Sequence, residues 1–270
     1  MAKIVFSHGN SFPAGTYNVL FAHLRQRGFE VTAVDRFGHD TQYPVTSNWP
    51  PLVQQLADFA AQQVQASGER VFLVGHSLGG ILSVMAAAQH PDLARGVLML
   101  DSPLISGWRA TTVGVAKRTQ VVSAVSPGRV SRQRRMSWAS TDEALEHFLK
   151  KEVFTRWDPQ VLHDYVTHGL HDKDGRRVLG FDRTVETAIY NTLPHNLDRL
   201  LRRHPLRCPT AFIGGLDSVE MRQVGMALTR RITGGRIMML DGSHLFPMEQ
   251  PLATAAAIEA ALLNLSSIAP

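Results

Sequence analysis

Ser77 stands in Gly75-His76-Ser77-Leu78-Gly79-Gly80, behind the apolar run Val71–Val74 and ahead of a stretch, Gly80 to His90, with helical character. These residue types suit a nucleophilic serine. A serine hydroxyl is a weak nucleophile until a base activates it, and it must stand on a sharp strand-to-helix turn where helix amides can receive negative charge. So tight a turn crowds its flanks, and Gly75 and Gly79 keep side chains out of the way. A Gly-x-Ser-x-Gly pentapeptide also arises by chance in glycine-rich turns. The reading therefore depends on whether the chain supplies the serine's partners.

Three partners are required: a base, a group that orients the base, and donors for the oxyanion. Loops at the C-terminal ends of parallel strands converge on one face of a sheet, so each partner is sought just past a strand. By that test the base is His244, which follows the last apolar run, Arg236–Leu240. Asp217, just past Thr210–Gly214, is the expected orienting acid. Asp101, past Val97–Leu100 and before Ser102-Pro103, is its rival, and Glu220 a distant third. A bland role for Asp101 is to cap a turn. The oxyanion donors are expected to be backbone amides: Leu78, directly after the serine, and Asn10, or its neighbour Ser11, in the loop after the first strand.

Strands and helices alternate around these residues. Strands are expected at 3–7, 31–34, 71–74, 97–100, 210–214 and 236–240, with helices at 16–27, 52–66, 80–90, 219–232 and 252–265. From about Leu104 to Leu206 the alternation stops. Helical patterns remain at 141–151, 159–170 and 184–204, the last interrupted by Pro194. A structureless stretch of that length is uncommon in a compact domain, so residues 105–205 are expected to form a helical subdomain.

Bulk properties agree with an ordinary globular protein: 270 residues, 44% apolar and 19% charged. The single cysteine, Cys208, excludes an internal disulfide. Met1-Ala2-Lys3 leads straight into a short apolar strand, which suits neither a secretory signal nor a membrane span, so a soluble cytoplasmic protein is expected. The net charge is +5, and residues 105–205 carry the excess, with 17 Lys/Arg against 11 Asp/Glu. Its densest piece, Arg129 to Arg135, is expected to be a solvated loop. No recognition motif for nucleic acid accompanies the charge. The histidines lack metal-ligand spacing and no dinucleotide fingerprint is present, so no metal or cofactor is expected.

Taken together, His8-Gly9-Asn10, Gly75-His76-Ser77-Leu78-Gly79-Gly80, Gly214-Gly215-Leu216-Asp217 and His244-Leu245-Phe246-Pro247-Met248-Glu249-Gln250-Pro251 resemble the α/β-hydrolase superfamily. The resemblance is to its lidded serine hydrolases: lipases, esterases, thioesterases and carbon–carbon bond hydrolases. It implies a mostly parallel sheet of about six strands flanked by helices, in the order 31–34, 3–7, 71–74, 97–100, 210–214, 236–240. A helical cap (105–205) would follow the fourth strand, over a core made of 1–104 and 206–270. The order Ser77, Asp217, His244 is that of the family's triad. Family members usually open with an antiparallel hairpin, whereas the first strand here begins at residue 3. The strand at 31–34 then becomes an edge, a place where a homodimer can pair.

The implied activity is hydrolysis of a carboxylic ester or thioester through an acyl-enzyme on Ser77, with a small, apolar acyl substrate under the cap. A serine at the elbow argues against the dehalogenase and epoxide hydrolase branches, which carry aspartate. Carbon–carbon bond hydrolysis or acyl transfer on the same triad is an alternative, as is a non-catalytic member that binds a small molecule. Trp108, Met136, Trp138, Phe148, Phe154, Trp157, Tyr165 and Tyr190 are candidates for the pocket lining, although most are expected to pack the cap's own core.

Overall fold

The computed structural model of the chain describes residues 1–105 and 134–268. Its first part runs β1 (Lys3–Ser7), a 3₁₀ turn (Ala14–Tyr17), α1 (Asn18–Gln26), β2 (Glu30–Ala33), α2 (Pro50–Ser67), β3 (Val71–His76), α3 (Leu78–Gln89) and β4 (Ala94–Leu100). An inserted segment follows, with β5 (Ser137–Trp138), α4 (Thr141–Leu149), α5 (Pro159–Gly169), β6 (Leu170–Lys173), β7 (Arg176–Leu179), α6 (Arg183–Asn191) and α7 (Leu197–Arg203). The chain then resumes with β8 (Thr210–Gly215), α8 (Val219–Val224), α9 (Ala227–Thr233), β9 (Ile237–Leu240), α10 (Phe246–Glu249) and α11 (Pro251–Ser266).

Six strands form one sheet in the order β2-β1-β3-β4-β8-β9, every pair parallel. This is the order read from the sequence, with β2 at one edge. The two-residue period of a strand sends alternate side chains to opposite faces. Ile4, Phe6, Phe72, Val74, Leu98, Leu100 and Ile213 pack with α1 and α11. Val5, Leu73, Val97, Met99 and Phe212 pack with α2, α3 and α9 on the other side. Both faces are covered, so β3 is buried at every position and reads as a continuous apolar run. Among the described residues no helix is long and apolar enough to cross a membrane.

Two local readings need correction. The inserted segment is not wholly helical: β5, β7 and β6 form a three-stranded antiparallel sheet. Three of the four residues of β6 are exposed and β7 is only partly buried, so they carry polar residues and present no apolar run. Asp174-Gly175 turns the hairpin with φ 51° and 71°, the left-handed pair that a two-residue turn demands. The long helices also break. The pattern over 184–204 is α6 and α7, divided around Pro194 as the sequence indicates, whereas that over 219–232, read as one helix, is α8 and α9, divided at Gly225 with φ 80°.

The inserted segment has its own aromatic centre. Trp138 and Phe148 lie 5.3 Å apart, Phe148 and Tyr165 5.1 Å, and Phe154 and Trp157 4.7 Å, all buried. As expected, these five side chains pack the insertion rather than stand free. Phe12, from the loop after β1, joins them against Trp157 and Tyr165. The insertion is thereby fastened to the loop beside the elbow. Trp108 lies outside the described residues.

Candidate active site

Ser77 links β3 to α3 with φ 53° and ψ −116°. Side-chain-bearing residues avoid this region, and such strain persists only where the surroundings enforce it. Here the surroundings are specific. Ser77 N–H donates to the Leu100 carbonyl at 2.9 Å. A Cβ on Gly75 would overlap the Gly79 carbonyl, and one on Gly79 would overlap the Ser7 carbonyl. The two glycines of the motif are therefore steric necessities. Leu78 opens α3, so its N–H has no acceptor within the helix.

His244 comes from the loop between β9 and α10. Ser77 Oγ lies 2.9 Å from its Nε2, and its Nδ1 lies 2.7 Å from Asp101 Oδ1. An ionised carboxylate only accepts, so Nδ1–H donates to Asp101 and Nε2 is free to accept the serine proton. Asp101 is fully buried. It also receives Ser218 Oγ–H at 2.6 Å and Gly215 N–H at 2.7 Å. Burial alone would push its carboxyl up. The hydrogen bond and charge of His244, with the Ser218 and Gly215 donors, instead hold it below the usual carboxylate range.

The acid against His244 is thus Asp101, whereas the sequence reading favoured Asp217. Sheet order explains the difference. His76 pairs with Leu100 in the β3–β4 register, so the residue after β4 emerges beside the residue after β3. Asp217 lies two residues past β8 on a turn that points outward. Its carboxylate is 61% exposed and faces Arg156 at 3.4 Å. The stretch Gly215 to Ser218 serves the site through its first and last residues, which hold Asp101. Glu220 is exposed on α8.

Sequence reasoning passed over a buried chain of hydrogen bonds beneath the elbow. His76 Nε2 lies 2.9 Å from the His244 carbonyl, which only accepts, so Nε2 carries the proton. Nδ1 must then accept Tyr17 O–H at 2.7 Å, and Tyr17 Oη accepts Gly9 N–H at 2.9 Å. The loop after β1, the elbow and the backbone of His244 are tied in series. Burial pushes the His76 imidazole down to about 3, and raises the Tyr17 phenol well above its ordinary value. His8 is likewise pushed down to about 4 by burial, with Nδ1–H donating to Gly9 O and Nε2 accepting Phe37 N–H. The signal was present in the motifs: His8 directly follows β1 and His76 is the last residue of β3, each behind an apolar run.

Asn10 and Ser11 are buried in the loop after β1, which emerges beside β3 through the Ser7–Gly75 register pair. The Asn10 side chain turns to the insertion and donates to the Glu186 carbonyl at 3.1 Å. In the basic run, Arg129 and Arg132 lie outside the described residues. Arg135 pairs with Glu143. Arg134 corrects the expectation of a solvated loop: it is largely buried, with Nη1 2.9 Å from Glu186 Oε2.

A family model described as the Alpha/beta hydrolase family matches residues 4–257. A putative non-heme haloperoxidase of Mycobacterium phage D29 is 26% identical over 276 aligned positions, which cover 98% of this chain and 88% of that protein. The monoglyceride lipase of Rattus norvegicus is 34% identical over 108 residues, a match spanning 38% of this chain and 35% of the lipase. The solved structure of an E-2-(acetamidomethylene)succinate hydrolase shares the fold, with a TM-score of 0.71 at 22% identity over 97% of this chain and 91% of that one.

Proposed function

From a chain that belongs to the alpha/beta hydrolase family and is a hydrolase, we propose a serine hydrolase that cleaves a carboxylic ester or thioester through an acyl-enzyme on Ser77. The observation that carries the reading is the unbroken line Ser77 Oγ, His244 Nε2, His244 Nδ1, Asp101 Oδ1, at 2.9 and 2.7 Å. Ser77 Oγ attacks the acyl carbon as its proton passes to Nε2. The imidazolium then gives that proton to the departing alcohol or thiol. Water attacks the acyl-enzyme, loses a proton to Nε2, and the serine O–H is restored as the acid leaves. Asp101 holds Nδ1–H in place and stabilises the imidazolium. The Leu78 and Asn10 amides are the proposed oxyanion donors. Removing one such donor typically costs ~10²–10³ in rate.

Phe12, half-buried in the loop beside the elbow, supports an apolar acyl group. The test combines turnover of p-nitrophenyl esters of graded acyl length with labelling by a fluorophosphonate. Wild type should turn over and label at Ser77, and Ser77→Ala should do neither. Equal inertness of both proteins would overturn the reading.

A further inference from the structure

We propose that Glu186, carried on α6 of the insertion, is a positioning residue for the oxyanion loop, so that the insertion completes the donor set from outside the sheet. This rests on the serine hydrolase reading above.

One residue grips two consecutive residues of the loop. The Glu186 carbonyl accepts Asn10 Nδ2–H at 3.1 Å, and its carboxylate Oε1 accepts Ser11 Oγ–H at 2.5 Å. Ser11 has φ 79°, a left-handed backbone that a residue with a side chain adopts only when held. The Asn10 N–H lies one peptide earlier, so its direction is held through Asn10, which is fixed on one side by the peptide to Ser11 and by its own side-chain bond to the Glu186 carbonyl. The other carboxylate oxygen receives Arg134 Nη1–H at 2.9 Å, and Arg134 Nη2–H reaches Tyr165 Oη at 3.3 Å.

The arrangement is buried throughout. Asn10 is 6% exposed, Ser11 3% and Glu186 5%. A buried carboxylate is tolerated only when its charge is paired and its lone pairs are used, and Arg134 and Ser11 do both. Tyr190, one turn further along α6, is pushed up to about 12, by burial first and the Glu186 charge second, and its side chain also hydrogen-bonds Ser11 and Asn10, so α6 meets the loop through a neutral phenol beside the carboxylate. Glu186 hydrogen-bonds to none of Ser77, His244 and Asp101. Its reach into the chemistry runs through the loop alone.

A residue that aims an oxyanion donor acts mainly in the transition state, where the donor meets full negative charge. The experiment measures p-nitrophenyl butyrate kinetics and inhibition by phenylboronic acid, which forms a tetrahedral anion on the serine, for the full chain and three variants. Glu186→Ala should lower kcat by ~10–10² with KM nearly unchanged, and should weaken boronate binding by a similar factor. Ser11→Ala, which removes the hydroxyl from both Glu186 and Tyr190, should lower kcat at nearly unchanged KM, as Glu186→Ala does. Glu186→Gln retains an acceptor for Ser11 and should recover several-fold in kcat over Glu186→Ala.

Wild-type kcat and boronate binding in Glu186→Ala would overturn the proposal, as would a change confined to KM. A Glu186→Gln variant no better than the alanine would do the same. If Glu186→Ala does not fold, the ranking of Ser11→Ala and Glu186→Gln in kcat and boronate binding decides the matter alone. Failure of wild type to turn over ester and to label at Ser77 would remove the serine hydrolase reading and this inference with it. An active, labelled wild type with indifferent variants would remove this inference only.

Discussion

At the scale of single residues, Asp101 and Asp217 are the informative pair. Each follows a strand, and each lies before His244 in the chain. Three donors surround the Asp101 carboxylate: His244 Nδ1, Ser218 Oγ and Gly215 N. Asparagine there must set an amide N–H against a donor or offer the imidazole the wrong tautomer. Asp101→Asn should therefore lower kcat by ~10³–10⁴ while leaving Ser77 in place. Asp217→Asn should stay within about twofold of wild type, because an exposed pair such as that with Arg156 contributes little. Ester kinetics on the two variants check both statements. Ser77 and His244 were legible because each sits at a strand end that periodicity locates. The acid was not, because two aspartates met the same rule. Only lateral strand register, which a one-dimensional pattern does not contain, separates them.

At the scale of elements, the β3–α3 elbow is set by what cannot be added to it. A Cβ on Gly79 meets the Ser7 carbonyl, which is backbone of a buried neighbouring strand and cannot swing aside. Gly79→Ala should destabilise the fold by about 1–3 kcal/mol, the ordinary range for overpacking, and chemical denaturation measures it. The central strands of the large sheet were legible for the reason that makes the elbow rigid: both faces are covered, so they are apolar runs. The small sheet was missed for the opposite reason, since β6 is mostly exposed and β7 only partly buried. Its one strong sign was Asp174-Gly175. The Glu186–Ser11 bond had no sign at all, because it spans 175 positions and depends on how α6 docks.

At the scale of the whole molecule, the buried histidines bind stability to pH. His8 and His76 are held neutral in the folded chain, with burial moving them to about 4 and about 3 from an ordinary value of 6.5. Their contribution is complete above pH 6.5. It is lost as pH falls toward those folded values, because the unfolded chain takes up protons that the folded chain refuses. Across the middle of that window two extra protons correspond to about 2.7 kcal/mol per pH unit. Thermal melts should therefore show Tm falling by several degrees from pH 6 to pH 5. A flat Tm over that interval would contradict the neutral assignment. Placing the acid after β4 also has a consequence for how such a molecule can change. Ser77 and Asp101 come from adjacent strands of one short stretch, 24 positions apart, and that stretch closes before the inserted segment begins. With the acid after β8, any lengthening or exchange of the segment would fall between the two. With Asp101 it falls outside them. What reaches the serine can be rewritten wholesale by grafting another sequence between β4 and β8, while the distance from Ser77 to its acid stays with the sheet.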